Sequence, residues 1–150
     1  MTTKSETVLQ ALFALLDTSK PAGSNLLRNA TLPERIPSGG IAILRDGDPG
    51  QPEVLLSPAT YIYEHRAEID VVIEAAAPTT RDAAFDLWKS AIGTALATDR
   101  TLGGLCDYVL GDAPDPLDLM LEGADGMKAA TLGIVLTEPL VTRIAAIVLL

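Results

Sequence analysis

The chain has 150 residues, of which 48% are hydrophobic, with one cysteine and a formal net charge of −9. That is enough for one domain with its own core, and a single cysteine excludes an intrachain disulfide framework and fits a reducing compartment. The acid excess excludes a surface that grips the phosphate backbone, although an acidic wall would let DNA slide past it.

The N-terminus, Met1 to Glu6, has no apolar signal core. Ile144 to Leu150 is apolar but too short to span a bilayer. The expectation is a soluble, cytoplasmic, acidic protein with no membrane partner.

Taken in order, Thr3 and Glu6 stand at capping-box spacing, and Val8, Leu9, Leu12, Phe13, Leu15 and Leu16 recur at helical spacing. They predict a helix from about Ser5 to Asp17 with one buried stripe, ended by Lys20 to Gly23. Ser24 to Gly40 is polar and punctuated by Pro33, Pro37, Gly39 and Gly40. It reads as an ordered loop with a short turn at Asn25 to Arg28, of the kind that often forms an interaction surface. Gly40 to Arg45 reads as a short apolar strand. Asp46-Gly47-Asp48-Pro49-Gly50 is dense turn chemistry, and Glu53 to Ser57 reads as the returning strand of a hairpin with that turn at its tip.

Tyr61 to Ala75 dominates the chain. Side chains alternate faces on a strand. Tyr61, Tyr63, His65, Ala67, Ile69, Val71 and Ile73 would therefore share one largely apolar face, and Glu64, Arg66, Glu68, Asp70 and Glu74 a charged one. At about 3.3 Å per residue it would span roughly 50 Å, well beyond the usual strand. Part of it is expected to leave its own sheet, to bend, or to pair with another subunit.

Pro78 ends this strand, and Thr79 or Thr80 can cap a second helix with Asp82 near its positive end. Ala84, Phe85, Trp88, Ala91, Ile92, Ala95 and Leu96 give it an apolar stripe through about Thr98, which should lay Trp88 on the apolar face of the long strand. Asp99 to Gly104 turns the chain, with Gly103 and Gly104 as a backbone requirement. Leu105 to Leu110 reads as a strand and Gly111 to Pro116 as an acidic loop. Leu117 to Leu121 and Met127 to Glu138 read as two strands joined by a hairpin turn. Pro139 interrupts the last strand, and Val141 to Leu150 is either one more strand or an arm that docks on a neighbour. No internal repeat, low-complexity segment or second domain is evident. The fold class is α+β: a mostly antiparallel sheet of about four to five strands with two helices on one face, in a single domain covering residues 1–150.

Chemistry-bearing constellations are scarce. His65 is the only histidine and falls on the apolar face of the long strand, where a packed, hydrogen-bonded histidine is ordinary. Cys106 is the only thiol, and its neighbours Leu105 and Asp107 would raise its pKa rather than lower it. Asp46 with Asp48, or Asp112 with Asp115 and Asp118, lack the spacing of a calcium loop. Gly39-Gly40 and Gly103-Gly104 lack the surroundings of a phosphate loop. No catalytic residue, metal or cofactor is expected. Glu64, Arg66, Glu68 and Asp70 either form a solvated sheet face or meet complementary charges on an identical neighbour.

Several segments share an order and spacing. Leu27-Arg28-Asn29 is followed by Leu32-Pro33 and Ile36-Pro37, then by Gly40 to Gly47 and Tyr63-Glu64-His65-Arg66. Asp99-Arg100-Thr101-Leu102-Gly103-Gly104-Leu105-Cys106-Asp107 and Lys128-Ala129-Ala130 come later. Together, over about residues 5 to 140, they resemble the tail terminator (tail completion) proteins of long-tailed bacteriophages and phage-derived gene transfer agents. The resemblance implies a sheet with two helices packed on it. It also implies a homo-hexameric ring that caps the tail tube, ends tube polymerisation and presents a surface for head–tail joining. The implied partners are further copies of the chain, the major tail tube protein and a head–tail connector or adaptor protein, with DNA passing through the lumen unbound. The implied location is the tail–neck junction of a virion assembled in a bacterial cytoplasm. Interface candidates are Asp46, Gly47 and Asp48 at the hairpin tip, Glu64, Arg66, Glu68 and Asp70 along the long strand and its edge, and Arg100. The alternatives are another neck adaptor, or a small enzyme using His65 and Cys106.

Overall fold

The computed structural model describes residues 3–56, 59–113, 115–116 and 126–141. The expected strand at 117–121, the turn at 122–125 and the tail beyond Val141 lie outside the described residues.

Helix α1 (Lys4–Ser19) begins where the capping signal stands, with Thr3 Oγ1 accepting the Glu6 N–H at 3.2 Å. The Glu6 side chain does not reach back to complete the box; it is used elsewhere. Helix α2 (Pro78–Thr98) differs from expectation at its start. Its N-cap is Ala77, with no side-chain cap, and Pro78 is already helical. Proline's fixed φ suits the first helical position, where its missing N–H is not needed, so Pro78 opens the helix that Thr79 or Thr80 was expected to cap.

The strands are β1 (Asn25–Arg28), β2 (Ile41–Asp48), β3 (Glu53–Leu56), β4 (Ala59–Glu74), β5 (Tyr108–Gly111), β6 (Asp115–Pro116) and β7 (Met127–Val141). They form one sheet in the order β1-β2-β4-β7-β5, with β3 also on β4 and β6 also on β7. All pairs are antiparallel except β1–β2. The α+β class and the two-helix layer agree with the sequence reading.

Four expectations are corrected. Asn25 to Arg28 is not a turn in a loop but a parallel edge strand, in register from Asn25 opposite Ile41 to Arg28 opposite Leu44. Second, β3 does not return along β2. Both run antiparallel to β4 on the same side of it, β2 beside Arg66 to Val72 and β3 beside Ala59 to Ile62. Asp46 to Gly50 is thus an interruption in one long edge rather than a hairpin tip, and Leu56 pairs with Ala59.

Third, two of the three ways expected to accommodate the long strand are not used: it neither leaves its sheet nor needs a neighbouring subunit to pair with. β7 follows it from Thr60 opposite Val141 to Glu74 opposite Met127, while β2 and β3 occupy the other side. Fourth, Pro139 does not interrupt β7, which runs to Val141 with Pro139 opposite Ile62. The carbonyls of Gly133 and Thr137 accept from Asp112 and Asp107, away from β4. Residue 139 has the same parity, so its missing N–H would have pointed away from β4, past the end of β5, and costs no ladder bond.

The core lies between sheet and helices. Ala67, Ile69, Val71 and Ile73 of β4 share one buried cluster with Val8, Leu12 and Leu16 of α1 and Trp88, Ile92 and Leu96 of α2. Each fully buried aliphatic contributes about 1.5–3 kcal/mol relative to exposure. Trp88 packs on the apolar face of the long strand as expected, and its indole N–H donates to the Gly39 carbonyl at 3.0 Å. A smaller cluster of Ile41, Val72 and Ala129 covers one end of the opposite face.

Candidate functional site

Three of the segments that carry the family resemblance meet at one node. At β2, Arg45 stands opposite Glu68 and Asp48 opposite Arg66, so Asp46 and Gly47 together oppose Ala67 in a β-bulge. Gly47 has φ +71°, and a Cβ there would overlap the Arg66 carbonyl, so only glycine fits. The bulge turns the Asp46 carbonyl toward the ring of His65, whose Nε2 lies 2.5 Å from it. A carbonyl only accepts, so Nε2 carries a proton and donates to it, while Nδ1 lies 3.3 Å from Ser5 Oγ in a second hydrogen bond.

Arg28 closes the node. Its two terminal nitrogens donate to Glu6 at 2.8 and 2.7 Å, while Nε and Nη2 donate to Asp46 at 3.1 and 2.8 Å. Asn29, at φ +50° in the left-handed region that asparagine tolerates, donates to the Asp46 carboxylate and accepts its backbone N–H. The hydrogen bond from Arg28 holds the Glu6 carboxyl below its ordinary range. Burial pushes Asp46 upward, but hydrogen bonds from Arg28 and Asn29 outweigh it and the net shift is downward. Helix α1, β1, β2 and β4 are tied together here by residues far apart in sequence.

This arrangement joins four elements of the fold. Ser5 and His65 are both buried, and neither lines either of the two clefts described below. Cys106 is buried in the core cluster. Among the described residues no three of His, Cys, Asp and Glu converge as metal ligands. Asp46, proposed as a tip carboxylate, is held by Arg28 and Asn29, while Asp48 caps the next turn by accepting from the Gly50 N–H at 2.9 Å.

The charged face of β4 points away from the helices. Asp70 accepts from Arg45 at 2.7 Å and from the Thr131 hydroxyl at 2.7 Å. Arg66 pairs with Asp112. Both therefore have partners within the chain. Glu64 and Glu68 are exposed and form no ion pair among the described residues. Because β4 is flanked on both sides, the long-strand edge proposed as an interface is not an open edge.

The exposed apolar residues lie elsewhere. Val54, Leu55 and Leu56 of β3 are all exposed, Leu56 at 84%, as are Tyr108 and Leu110 of β5. Beside β5 a cleft of about 240 Å³ opens between α2 and the β5–β7 edge. Its floor is the buried Leu96, Leu132 and Ile134, and Lys89 and Arg100 stand at its rim. Arg100 donates to the Val109 carbonyl at 3.2 Å and lies over the Tyr108 ring. A second, more open groove of about 400 Å³ runs between the end of α1 and α2, beside Leu87. Sequence reasoning chose Arg100 and read a strand at Glu53 to Ser57, but missed that strand's exposed apolar surface and the cleft. The available signal was Val54-Leu55-Leu56, three consecutive apolar residues with no polar alternation, which no half-buried strand needs.

No protein-family model matches the chain, and no curated protein matches it. Among the described residues no helix is long and apolar enough to cross a membrane.

Proposed function

We propose that this chain is the subunit of a homo-hexameric ring that caps a phage-type tail tube, ends its polymerisation and presents a surface for head–tail joining. The observation that carries the reading is the convergence of Leu27-Arg28-Asn29, Asp46-Gly47 and Tyr63-Glu64-His65-Arg66 on one node. These segments resemble the tail terminator proteins in order and spacing, and in the fold they act as one joint.

Two further features support work done by surfaces. The buried histidine is occupied by a serine hydroxyl and a backbone carbonyl, and five of the seven exposed large hydrophobic side chains among the described residues lie on strands at opposite edges of one sheet. In this reading the partners are identical subunits, the major tail tube protein and a head–tail connector, at the tail–neck junction of a virion. The net charge of −9 suits a lumen through which DNA passes without sticking.

The test adds the purified chain to polymerising tube protein encoded with it and images the product by negative-stain electron microscopy. Tubes that stop growing and carry ring density at one end are expected. Tubes that grow unchanged and bare contradict the proposal, and binding to the head connector alone would assign the chain to a neck adaptor instead.

A further inference from the structure

β3 is an unusual edge. Alternate residues of a strand point to opposite faces, yet Glu53, Val54, Leu55 and Leu56 are all exposed. Both faces of the strand therefore stand clear of the helical layer, and among the described residues β3 is bonded only to β4. An exposed run of three large aliphatics next to a carboxylate is a poor surface for a lone monomer and a good plug for a partner.

The α2–β5 cleft has the complementary character. At about 240 Å³ it is smaller than the roughly 300–1,000 Å³ of small-molecule sites and suits one or two aliphatic side chains. It owes its room to glycines: nothing lies within 4 Å of a Cβ on Gly93, while one on Gly111 would press on Leu96. Lys89 and Arg100 give it a basic rim in a chain with 11 basic and 20 acidic residues. Among the described residues Arg100 has no ion pair, Lys89 has one ion contact, 3.7 Å from Asp86, besides lying over the Phe85 ring, and the one carboxylate lining the cleft, Asp112, is held by Arg66.

We infer that the end of β3 of one copy plugs the α2–β5 cleft of the next, Leu56 entering the apolar floor and Glu53, three residues back on the opposite face, meeting Lys89 and Arg100 at the rim. The occupant is a second copy of this chain because plug and socket match in size, polarity and charge and sit on opposite edges of one sheet. A contact between different patches on identical subunits is heterologous, and it generates a closed ring when the rotation between copies closes. The inference rests on the ring reading for closure and adds to it which surfaces meet.

The test has two arms on the full chain. Leu56→Asp should leave the circular dichroism spectrum and melting temperature of the monomer near wild type while weakening self-association, with or without tube protein, at least tenfold by light scattering. In a Cys106→Ala background, a chain carrying both Leu56→Cys and Gly93→Cys should form a disulfide ladder of linked copies under mild oxidation, since the two positions lie too far apart to join within one chain. Rings that persist in Leu56→Asp, with no ladder from the cysteine pair, overturn this interface and leave the ring reading standing. A wild-type chain that never self-associates, even with tube protein, overturns both.

Discussion

Arg28 holds Glu6 through both terminal nitrogens of its guanidinium, joining the first turn of α1 to the end of β1 across 22 residues of sequence. The same guanidinium reaches Asp46 at the β2 bulge, so one cation serves two carboxylates. Two-point pairing fixes geometry as well as charge, and Arg28 is partly shielded from solvent.

That relationship sets a pH dependence. Glu6 and Asp46 are both held below their ordinary values of 4.5 and 3.8, so the folded chain takes up these protons less readily than the unfolded one. The stability they contribute is present above those values and is lost as pH falls through and below them. Arg28→Ala should cost about 1–2 kcal/mol at pH 7, discounted for the exposure of the carboxylates. The gap between variant and wild type should narrow between pH 7 and pH 2.5, as falling pH protonates the two carboxylates. Urea unfolding at the two pH values measures it, and an equal penalty at both would show that the pair is not the cause.

Two glycines with similar backbone angles should respond differently. Gly47 and Gly104 have φ of +71° and +90°. At Gly104 nothing lies within 4 Å of an added Cβ, so Gly104→Ala should cost only the conformational term, about 1 kcal/mol. At Gly47 the Cβ meets the backbone of Arg66, which cannot move without opening the β2–β4 pairing, so Gly47→Ala should cost more than about 2 kcal/mol. Paired thermal melts compare them; equal losses would mean that the bulge relaxes freely.

His65 and Cys106 should matter for folding only. His65→Ala strips partners from the half-buried Asp46 carbonyl and from the buried Ser5 Oγ and should cost about 1–3 kcal/mol. In every variant that still folds by circular dichroism, capping of tube protein should be unchanged. A folded His65→Ala or Cys106→Ala chain that no longer caps would give these residues a role beyond packing.

Much of the fold was readable from periodicity. The stripes of α1 and α2 and the alternation of Tyr61 to Ile73 place helices on one face of a sheet before any coordinates. What stayed hidden were features without a period. Asn25 to Arg28 is four residues long and its strand character comes from β2 beside it, not from its own pattern. Asp46-Gly47 has the composition of a turn, and only the register of β2 against β4 makes it a bulge. Pro139 reads as a breaker unless the direction of its missing N–H is known. At the surface, charge drew attention to Arg66 and Asp70, but Asp112, Arg45 and Thr131 already hold them. The apolar edge at Val54 to Leu56 carries no motif at all.

The most direct test of the ring is the mass of the purified chain by light scattering, alone and after addition of the tube protein encoded with it. A hexamer of this 15.7 kDa chain has a mass of about 94 kDa (6 × 15.7). A species of that mass, alone or as the increment bound per tube end, is the predicted result. A monomer or dimer under both conditions, with no association with tube protein, would contradict it.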